Sequence, residues 1–384
     1  MKVSISRRTL HAGLQAVTRA CAGNRSSLPI LYNVHLSVNE NNGLTLRATD
    51  LDLTIETTVE CVTYVDGEGE CTLPAKTLQD IMAALPDGDV TIGSDGGASF
   101  RIACGKSSYR IHGLPPGEYP PVPEVGGSLK LSVPADTLRG LISRVQCGIA
   151  KDDTRPVLTG TLFQVDDKEL RLVTTDTHRL CVASGDIETD QMFEEFPIIP
   201  GRATYELQRL LKDSGEHVEC RFNKNMARFA VSGAALTTRL IEGVFPKYER
   251  IIPKQHSIRV RVAAANLASS IKRAAVVARE NANRLTITVT PESGLDTDRI
   301  VLTANSGELG SCREELGCQI EGGETTFCVN AEYLQEAVAA ISTEEVALDL
   351  TEPLSPFVVR PVENGEVQED GSCLTVMMPM NLGA

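Results

Sequence analysis

The stretch Leu129–Ile149, LKLSVPADTLRGLISRVQCGI, decides the fold because the chain repeats its pattern. Its first six residues alternate as a strand does, and the following apolar residues recur at helical spacing. The same order of strand and apolar helical stripe opens at Lys2 and again at Ile258. The three copies align on Leu10, Leu138 and Leu267, at separations of 128 and 129 residues. A fixed long period of this kind indicates internal repetition.

Later landmarks keep the same register. The strand-like Leu44–Asp50, LTLRATD, matches Leu170–Asp176, LRLVTTD, and the third copy has Ile300–Asn305. A second helical pattern follows Pro74, Pro200 and Asn330. The linker 120–127, which contains several Pro and Gly residues, and the linker 251–256, which contains Pro253, mark boundaries near 126 and 255. Alternating strands bury one face of a sheet, so helices are expected to pack there. The sequence predicts an α+β fold of three repeated domains, 1–125, 126–254 and 255–384, each with two helices packed on antiparallel sheets.

The charge is distributed unevenly over the chain. The net charge of −14 argues against a general nucleic-acid binder, since phosphate backbones attract clustered cations. However, residues 7–25, 138–151 and 267–279 hold ten bases and no acid, so the rest carries −24. Such windows suit sequence-independent contact with a phosphate backbone, although a merely solvated basic face is the simpler alternative. Candidates in the second and third copies are Arg139, Arg144, Lys272 and Arg273.

Several classes of protein are disfavoured. No run of about 18 apolar residues could span a membrane, and the first eight residues lack the apolar segment of a signal peptide. The 11 cysteines have no zinc-type spacing, which predicts no metal or cofactor and small buried thiols in a reducing cytoplasm. Gly105-Lys106-Ser107 ends like a phosphate-binding loop, but Phe100 stands where that motif needs glycine.

Two further motifs allow more than one interpretation. Asp176-Thr177-His178-Arg179 could be a turn that satisfies its own backbone, a recognition surface or, least favoured, a catalytic pair of Asp176 and His178. Only the second copy has this His-Arg. The terminal Met377-Met378-Pro379-Met380 could be an adaptable apolar surface or the end of a core strand.

The landmarks together resemble the beta-subunit family of bacterial DNA polymerase III, the sliding clamps. The resemblance covers essentially the whole chain. The segments that carry it are Leu28–Leu31 with Asn33, Leu158–Phe163, Thr175–Leu180, Gly243–Tyr248 and Met378–Met380.

This resemblance implies a non-catalytic processivity factor, a ring-shaped head-to-tail homodimer around duplex DNA with helices lining the channel. Family DNA contacts carry over to Arg25, Lys76 and Arg202. For the ring interface, the matching positions are Tyr109 and Ile111 against Val276 and Val277 of the partner subunit, and Glu308, Glu314 and Glu315 are further candidates near Lys106.

The resemblance also implies a cleft that binds short motifs from the replicative polymerase, the clamp loader and other proteins. The matching positions are Leu158, Thr175, His178, Arg179, Leu180, Pro246, Val376, Met378, Pro379 and Met380. Two departures bear on this cleft: Thr177 replaces a usual glycine, and the chain ends Asn381–Ala384 where Arg-Leu is common. The competing hypothesis is a three-domain scaffold or interaction protein that does not bind DNA.

Overall fold

In the computed structural model, the described residues are 2–23, 26–38, 43–60, 68–126, 129–166, 168–187, 189, 196–212, 217–291 and 298–381. Arg25 and the last three residues of the tail, both singled out in the sequence, lie outside these ranges.

The same order of elements occurs three times. The first copy contains β1 Lys2–Ser6, α1 Arg7–Val17, β2 Asn33–Val38, β3 Gly43–Thr49, β4 Leu53–Glu60, β5 Gly69–Pro74, α2 Ala75–Ala84, β6 Asp89–Ser94, β7 Ser99–Cys104 and β8 Ser107–His112. The second contains β9 Leu129–Pro134, α3 Ala135–Val145, β10 Gly160–Asp166, β11 Glu169–Thr175, β12 Arg179–Asp186, β13 Ile198–Pro200, α4 Gly201–Leu210, β14 His217–Phe222, β15 Met226–Val231 and β16 Ala234–Arg239. The third contains β17 Ile258–Ala263, α5 Ala264–Ala278, β18 Arg284–Thr290, β19 Arg299–Ser306, β20 Gly310–Gly317, β21 Gln319–Glu321, β22 Thr325–Asn330, α6 Ala331–Ala339, β23 Glu345–Leu350, β24 Phe357–Glu363, β25 Glu366–Val367 and β26 Cys373–Met377.

Neighbouring copies share sheets. In each copy, the first strand lies in one group with the last three main strands and pairs with the first of them, as in the order β1-β6-β7-β8. The middle strands form a second group, as in β5-β2-β3-β4. The β4–β16 pair joins the middle group of the first copy to the outer group of the second. The β12–β26 pair makes the corresponding junction between the second and third copies. The three repeats are therefore joined by two equivalent strand pairs.

The packing divides the described chain into two compact units. One comprises residues 1–136 with 206–240, and the other 137–205 with 241–384. The division cuts through the second copy because each of its strand groups is hydrogen-bonded into the sheet of a different neighbour. Because the copies share sheets, the two compact units do not coincide with the three sequence repeats. The exact boundaries of the repeats stay a prediction.

The helices bury the stripes that the sequence predicted. In α1, Leu10, Leu14 and Val17 have no exposed surface, and Gly13 lets the helix approach β3 closely, since a Cβ there would meet Leu46 Cδ1 at 2.6 Å. The equivalent apolar residues of α3 and α5 are also buried. Along the described ranges, none of the helices combines the length and apolarity needed to cross a membrane.

Candidate functional site

The turn between β11 and β12 is closed by its own side chains. Asp176 Oδ1 accepts the backbone N–H groups of His178 and Arg179 at 3.0 and 2.9 Å. The Thr175 hydroxyl donates to the Arg179 carbonyl oxygen at 2.7 Å. Thr177 has a φ of 75°, in the left-handed region where glycine is favoured. The motif therefore satisfies its backbone, as the turn interpretation requires.

The first copy has the same turn between β3 and β4. Asp50 Oδ1 accepts the N–H groups of Asp52 and Leu53 at 3.1 and 2.8 Å, and the Thr49 hydroxyl donates to the Leu53 carbonyl oxygen at 3.1 Å. Leu51, with a φ of 84°, corresponds to Thr177. The turn belongs to the repeat, whereas its His and Arg side chains are specific to the second copy.

Arg179 is the polar centre of the site. Its side chain is almost fully buried, its Nε donates to Asp176 Oδ2 at 3.0 Å, and its Nη1 lies 2.6 Å from Glu336 Oε2 on α6. The guanidinium carbon stands 4.3 Å from the ring centroid of Tyr333, also on α6. Burial alone would lower the pKa of Arg179, but Cys147, Glu336 and Asp176 raise it overall. A charged, fixed guanidinium results.

Sequence reasoning missed Tyr333 and Glu336. They are three residues apart and therefore share one face of α6. Besides contacting Arg179, Tyr333 stacks on the exposed His178, with ring centroids 6.0 Å apart. Nothing in the sequence of the second helix of the third copy indicated a site, because the residues that they contact, His178 and Arg179, belong to the second copy.

The geometry opposes a catalytic role for Asp176. One carboxylate oxygen accepts two backbone N–H groups, and the other accepts from Arg179. A general base needs an available acceptor at the reacting proton. Among the described residues, no three His, Cys, Asp or Glu side chains are grouped as a metal site would require.

The last strand completes the site from the third copy. Leu180 lies opposite Val376, and Arg179 lies opposite Met377, in the antiparallel β12–β26 pair. The Met378 N–H then donates to the His178 carbonyl oxygen at 2.9 Å, and the Met378 side chain is 42% exposed. An accessible methionine therefore follows the end of β26 beside the turn.

An apolar cluster lies under this junction. Leu158, Leu180 and Val376, all among the predicted positions, are buried in it with Phe245. Thr175 is also buried, while Pro246, next to Phe245, is exposed. Pro379 and Met380 are half-buried, and the Met380 N–H donates to the Cys328 carbonyl oxygen at 2.8 Å.

A pocket of about 490 Å³ opens beside the cluster. It is lined by the 176–179 turn with Leu158 and by Glu332 and Tyr333 of α6. The segment 149–155 also lines it, although the sequence had placed residues 149–151 only in a basic window and had not related them to the cleft. Lys151 of this segment lies 3.9 Å from Glu332. The site is thus a concave surface with apolar and polar parts.

The candidate DNA contacts within the described residues lie on the helices, and some basic side chains of these helices form ion pairs with acids. Lys76, Arg139, Arg202 and Lys272 are exposed on α2, α3, α4 and α5, and Arg144 is half-buried in the last turn of α3. Arg273 is paired with Glu314 of β20, with Nε and Oε1 3.0 Å apart. In the first copy, Arg7 and Arg8 both bind Asp87.

The acid-free windows of the sequence are interpreted as the first helices of the three copies, and for the second copy this interpretation is wrong. The acid-free window 138–151 does not coincide with α3, which begins at Ala135 directly after β9 and has Asp136 in its first turn. A carboxylate is favourable there because it faces the positive end of the helix dipole. Lys151 lies beyond the helix and lines the pocket.

The candidate interface residues lie on or near sheet edges. Tyr109 is exposed and Ile111 half-buried on β8, and Val276 is 63% exposed and Val277 half-buried on α5. Within the described strands, β8 pairs only with β7, and β20 pairs only with β19. Glu314 and Glu315 lie on β20, and Glu308 lies in the turn before it. Lys106 is exposed in the turn before β8.

Comparisons with known proteins agree along the chain. Sequence models of the DNA polymerase III beta subunit match as N-terminal domain over residues 1–123, central domain over 132–247 and C-terminal domain over 249–381. The beta sliding clamp of Staphylococcus epidermidis is 30% identical over 354 residues, 90% of this chain and 92% of that protein. That of Staphylococcus aureus is 28% identical over 352 residues, with the same coverage.

Solved structures give the same result. The sliding clamp of Pseudomonas aeruginosa bound to griselimycin has a TM-score of 0.90 at 30% identity, with both chains fully covered. A griselimycin-bound sliding clamp from Bartonella birtlesii has a TM-score of 0.88 at 26% identity, also with full coverage.

Proposed function

The chain belongs to the beta-subunit family of DNA polymerase III, the DNA sliding clamps, and from this membership we propose how its own residues serve the clamp function. It has the three-domain clamp fold, and the family acts as a non-catalytic processivity factor. What remains to be assigned is which surfaces bind partners, DNA and a second subunit.

The β12–β26 junction is the proposed binding cleft for short partner segments, including those of the replicative polymerase and the clamp loader. The observation that carries this proposal is that accessible Met378, Arg179 with His178 and Tyr333, and the apolar cluster meet beside one pocket. An extended peptide could bury an apolar anchor near Met378 and place polar atoms at the turn. The griselimycin-bound relatives support a ligand site on this fold.

A peptide titration tests the cleft. A fluorescein-labelled peptide from the clamp-binding segment of a polymerase is titrated with the protein, and unlabelled griselimycin is then added as competitor. Saturable binding that griselimycin displaces supports the proposal. Binding that survives both griselimycin and Met378→Ala contradicts it.

The ring interface is proposed from the repeat itself. Strands β8, β16 and β26 are equivalent, as are β4, β12 and β20, and the chain pairs β16 with β4 and β26 with β12. The remaining pair, β8 with β20, can form between two chains, and a head-to-tail dimer forms it twice. The exposed surfaces of Tyr109 and Val276 suit burial at such an interface.

DNA contact is proposed for the exposed cations of the helices, chiefly Lys76, Arg139, Arg202 and Lys272. Contact with phosphates alone would leave the clamp free to slide, because no base is read. Arg144, Arg273 and Arg25 are further candidates: Arg144 is half-buried, Arg273 forms an ion pair with Glu314, and Arg25 lies outside the described residues. We also assign the protein to the cytoplasm, where bacterial DNA is replicated.

Family membership disfavours the alternative of a scaffold that does not bind DNA. Reversing the charge of helix cations distinguishes a DNA-binding clamp from such a scaffold. The double variant Arg139→Glu with Lys272→Glu is expected to lose DNA retention and keep peptide binding, with Lys224→Glu as control at an exposed strand turn. Unchanged DNA retention in the double variant would count against contact by these helices.

A further inference from the structure

Two cysteine sulfurs lie in contact behind the proposed cleft. Cys147 Sγ and Cys181 Sγ are 3.5 Å apart. Cys147 belongs to the 3-10 turn Gln146–Gly148 after α3, and Cys181 belongs to β12. Both cysteines are free thiols in this structure. A disulfide has an S–S length of about 2.05 Å, so the sulfurs would approach by roughly 1.5 Å.

The turn that carries Cys147 is seated tightly on the strands. A Cβ at Gly148 would stand 2.9 Å from Cys181 Sγ and 2.4 Å from Thr174 Oγ1, so only glycine permits this approach. The Thr174 hydroxyl also donates to the Val145 carbonyl oxygen at 2.5 Å. The backbone therefore holds the two thiols side by side.

The two thiols differ in access and acidity. Cys147 is half-buried, whereas Cys181 is fully buried in the sheet. The hydrogen bond from Cys181 lowers the pKa of Cys147, and this effect outweighs the partial burial of Cys147, which would raise it. The positive charge of the Arg179 guanidinium also lowers the pKa of Cys147. The same bond, together with burial, raises the pKa of Cys181. Cys147 is therefore the thiol suited to attack, and Cys181 the thiol suited to resolve.

We propose that Cys147 and Cys181 form a hydroperoxide-sensitive dithiol whose oxidation to a disulfide weakens partner binding in the adjacent cleft. The Cys147 thiolate attacks the terminal oxygen of a hydroperoxide, which breaks the O–O bond and leaves a sulfenic acid and an alkoxide that takes up a proton. The Cys181 sulfur then attacks the sulfenic sulfur, the S–S bond forms, and water leaves with the Cys181 proton. Overall, two thiols and one hydroperoxide give a disulfide, an alcohol and water.

The position of the pair explains the effect on the cleft, which rests on the proposed function. Ile149, two residues after Cys147, and Arg179, two residues before Cys181, both line the pocket. A disulfide would draw together the two segments that carry these residues. It would also move the strand residue Cys181 and with it Arg179, which is held between Asp176 and Glu336. Narrowing of the pocket and a shift of Arg179 both oppose peptide binding.

The test uses the full-length protein, hydrogen peroxide as oxidant and the labelled polymerase peptide as probe. The expected product is a Cys147–Cys181 disulfide, seen by mass spectrometry as a linked peptide pair. Its formation should raise the peptide Kd at least fivefold, and dithiothreitol should restore the reduced value. Cys147→Ser should bind peptide equally well before and after peroxide.

Cys318→Ser is the matched control, since Cys318 is also half-buried but burial raises its pKa to about 12. This variant should respond to peroxide as the parent protein does. Absence of the disulfide overturns the proposal, and so does a disulfide that leaves the Kd unchanged. Failure of the reduced protein to bind peptide would instead overturn the proposed cleft, while disulfide mapping would still report on the thiol chemistry.

Discussion

Leu180 of β12 lies directly opposite Val376 of β26, although the two residues come from different sequence repeats. The pairing brings the His178–Arg179 turn of the second copy beside Met378, just past the end of the terminal strand. Leu180 and Val376 are both buried in one apolar cluster with Leu158. The proposed cleft thus depends on the sheet that the two repeats share, because residues of both repeats contribute to it.

Met378→Ala is expected to weaken peptide binding by about 1–2 kcal/mol, as for a partly exposed apolar anchor. The Met378 side chain is 42% exposed, so its loss should leave folding nearly unchanged. Adding Leu180→Ala should bring the loss to about 2–4 kcal/mol. The control is Leu354→Ala, which removes a 61% exposed leucine outside the pocket. Fluorescence anisotropy measures the affinity, and equal affinities for Met378→Ala and Leu354→Ala would contradict the cleft.

Arg179→Met is expected to lower the free energy of unfolding by about 2–4 kcal/mol, because it leaves Asp176 and Glu336 without their buried cation. Lys151→Met is the comparison: it breaks an exposed pair with Glu332 and should cost less than about 0.5 kcal/mol. Urea unfolding measures both. If the two variants are equally stable, Arg179 is not a buried ionic centre.

Thr177→Gly is expected to raise the free energy of unfolding by about 1 kcal/mol, since a β-branched residue at a φ of 75° is strained. Leu51→Gly, at the equivalent turn of the first copy, should act in the same direction. Asn364→Gly, at a φ of 52°, should change little because asparagine tolerates this region. Thermal unfolding tests the series. Destabilisation by Thr177→Gly would mean that the threonine side chain contributes more than its strain costs.

Val276→Asp is expected to convert a dimer into a monomer, because it would bury an unpaired carboxylate at the β8–β20 interface. Val276 is 63% exposed in the single chain, so the variant should fold normally. Light scattering should give about twice 41.4 kDa for the parent protein and 41.4 kDa for the variant. Val244→Asp, at an 89% exposed position, is the control and should remain dimeric. A dimeric Val276→Asp would place the interface elsewhere.

The repeat and its helices could be predicted from sequence because they depend on local periodicity. The helical stripe of the third copy was predicted from its apolar spacing, and its residues Leu267, Ile271 and Ala274 are fully buried. Several cleft residues came from family resemblance rather than from spacing. The structure brings Leu158, Leu180 and Val376 into one apolar cluster, and their role in a cleft stays a prediction.

The features that could not be predicted depend on contacts between segments that are distant in sequence. Local periodicity carries no information about such contacts. Tyr333 and Glu336 reach Arg179 from another repeat. Asp87 and Glu314 form ion pairs with Arg7 and Arg273, two cations of sequence windows that contain no acid. Cys147 and Cys181 meet only because a 3-10 turn packs on β12. These pairings arise from the shared sheet and helix packing.

The measurement that tests the central claim most directly is retention on circular DNA. The protein is loaded onto nicked circular duplex by a clamp loader, freed from unbound protein, and followed at moderate salt before and after the circle is cut once. The account predicts stable retention on the circle and rapid loss after linearisation, because a closed ring that contacts only phosphates slides off a free end. Retention that is unchanged by linearisation would contradict encirclement of DNA.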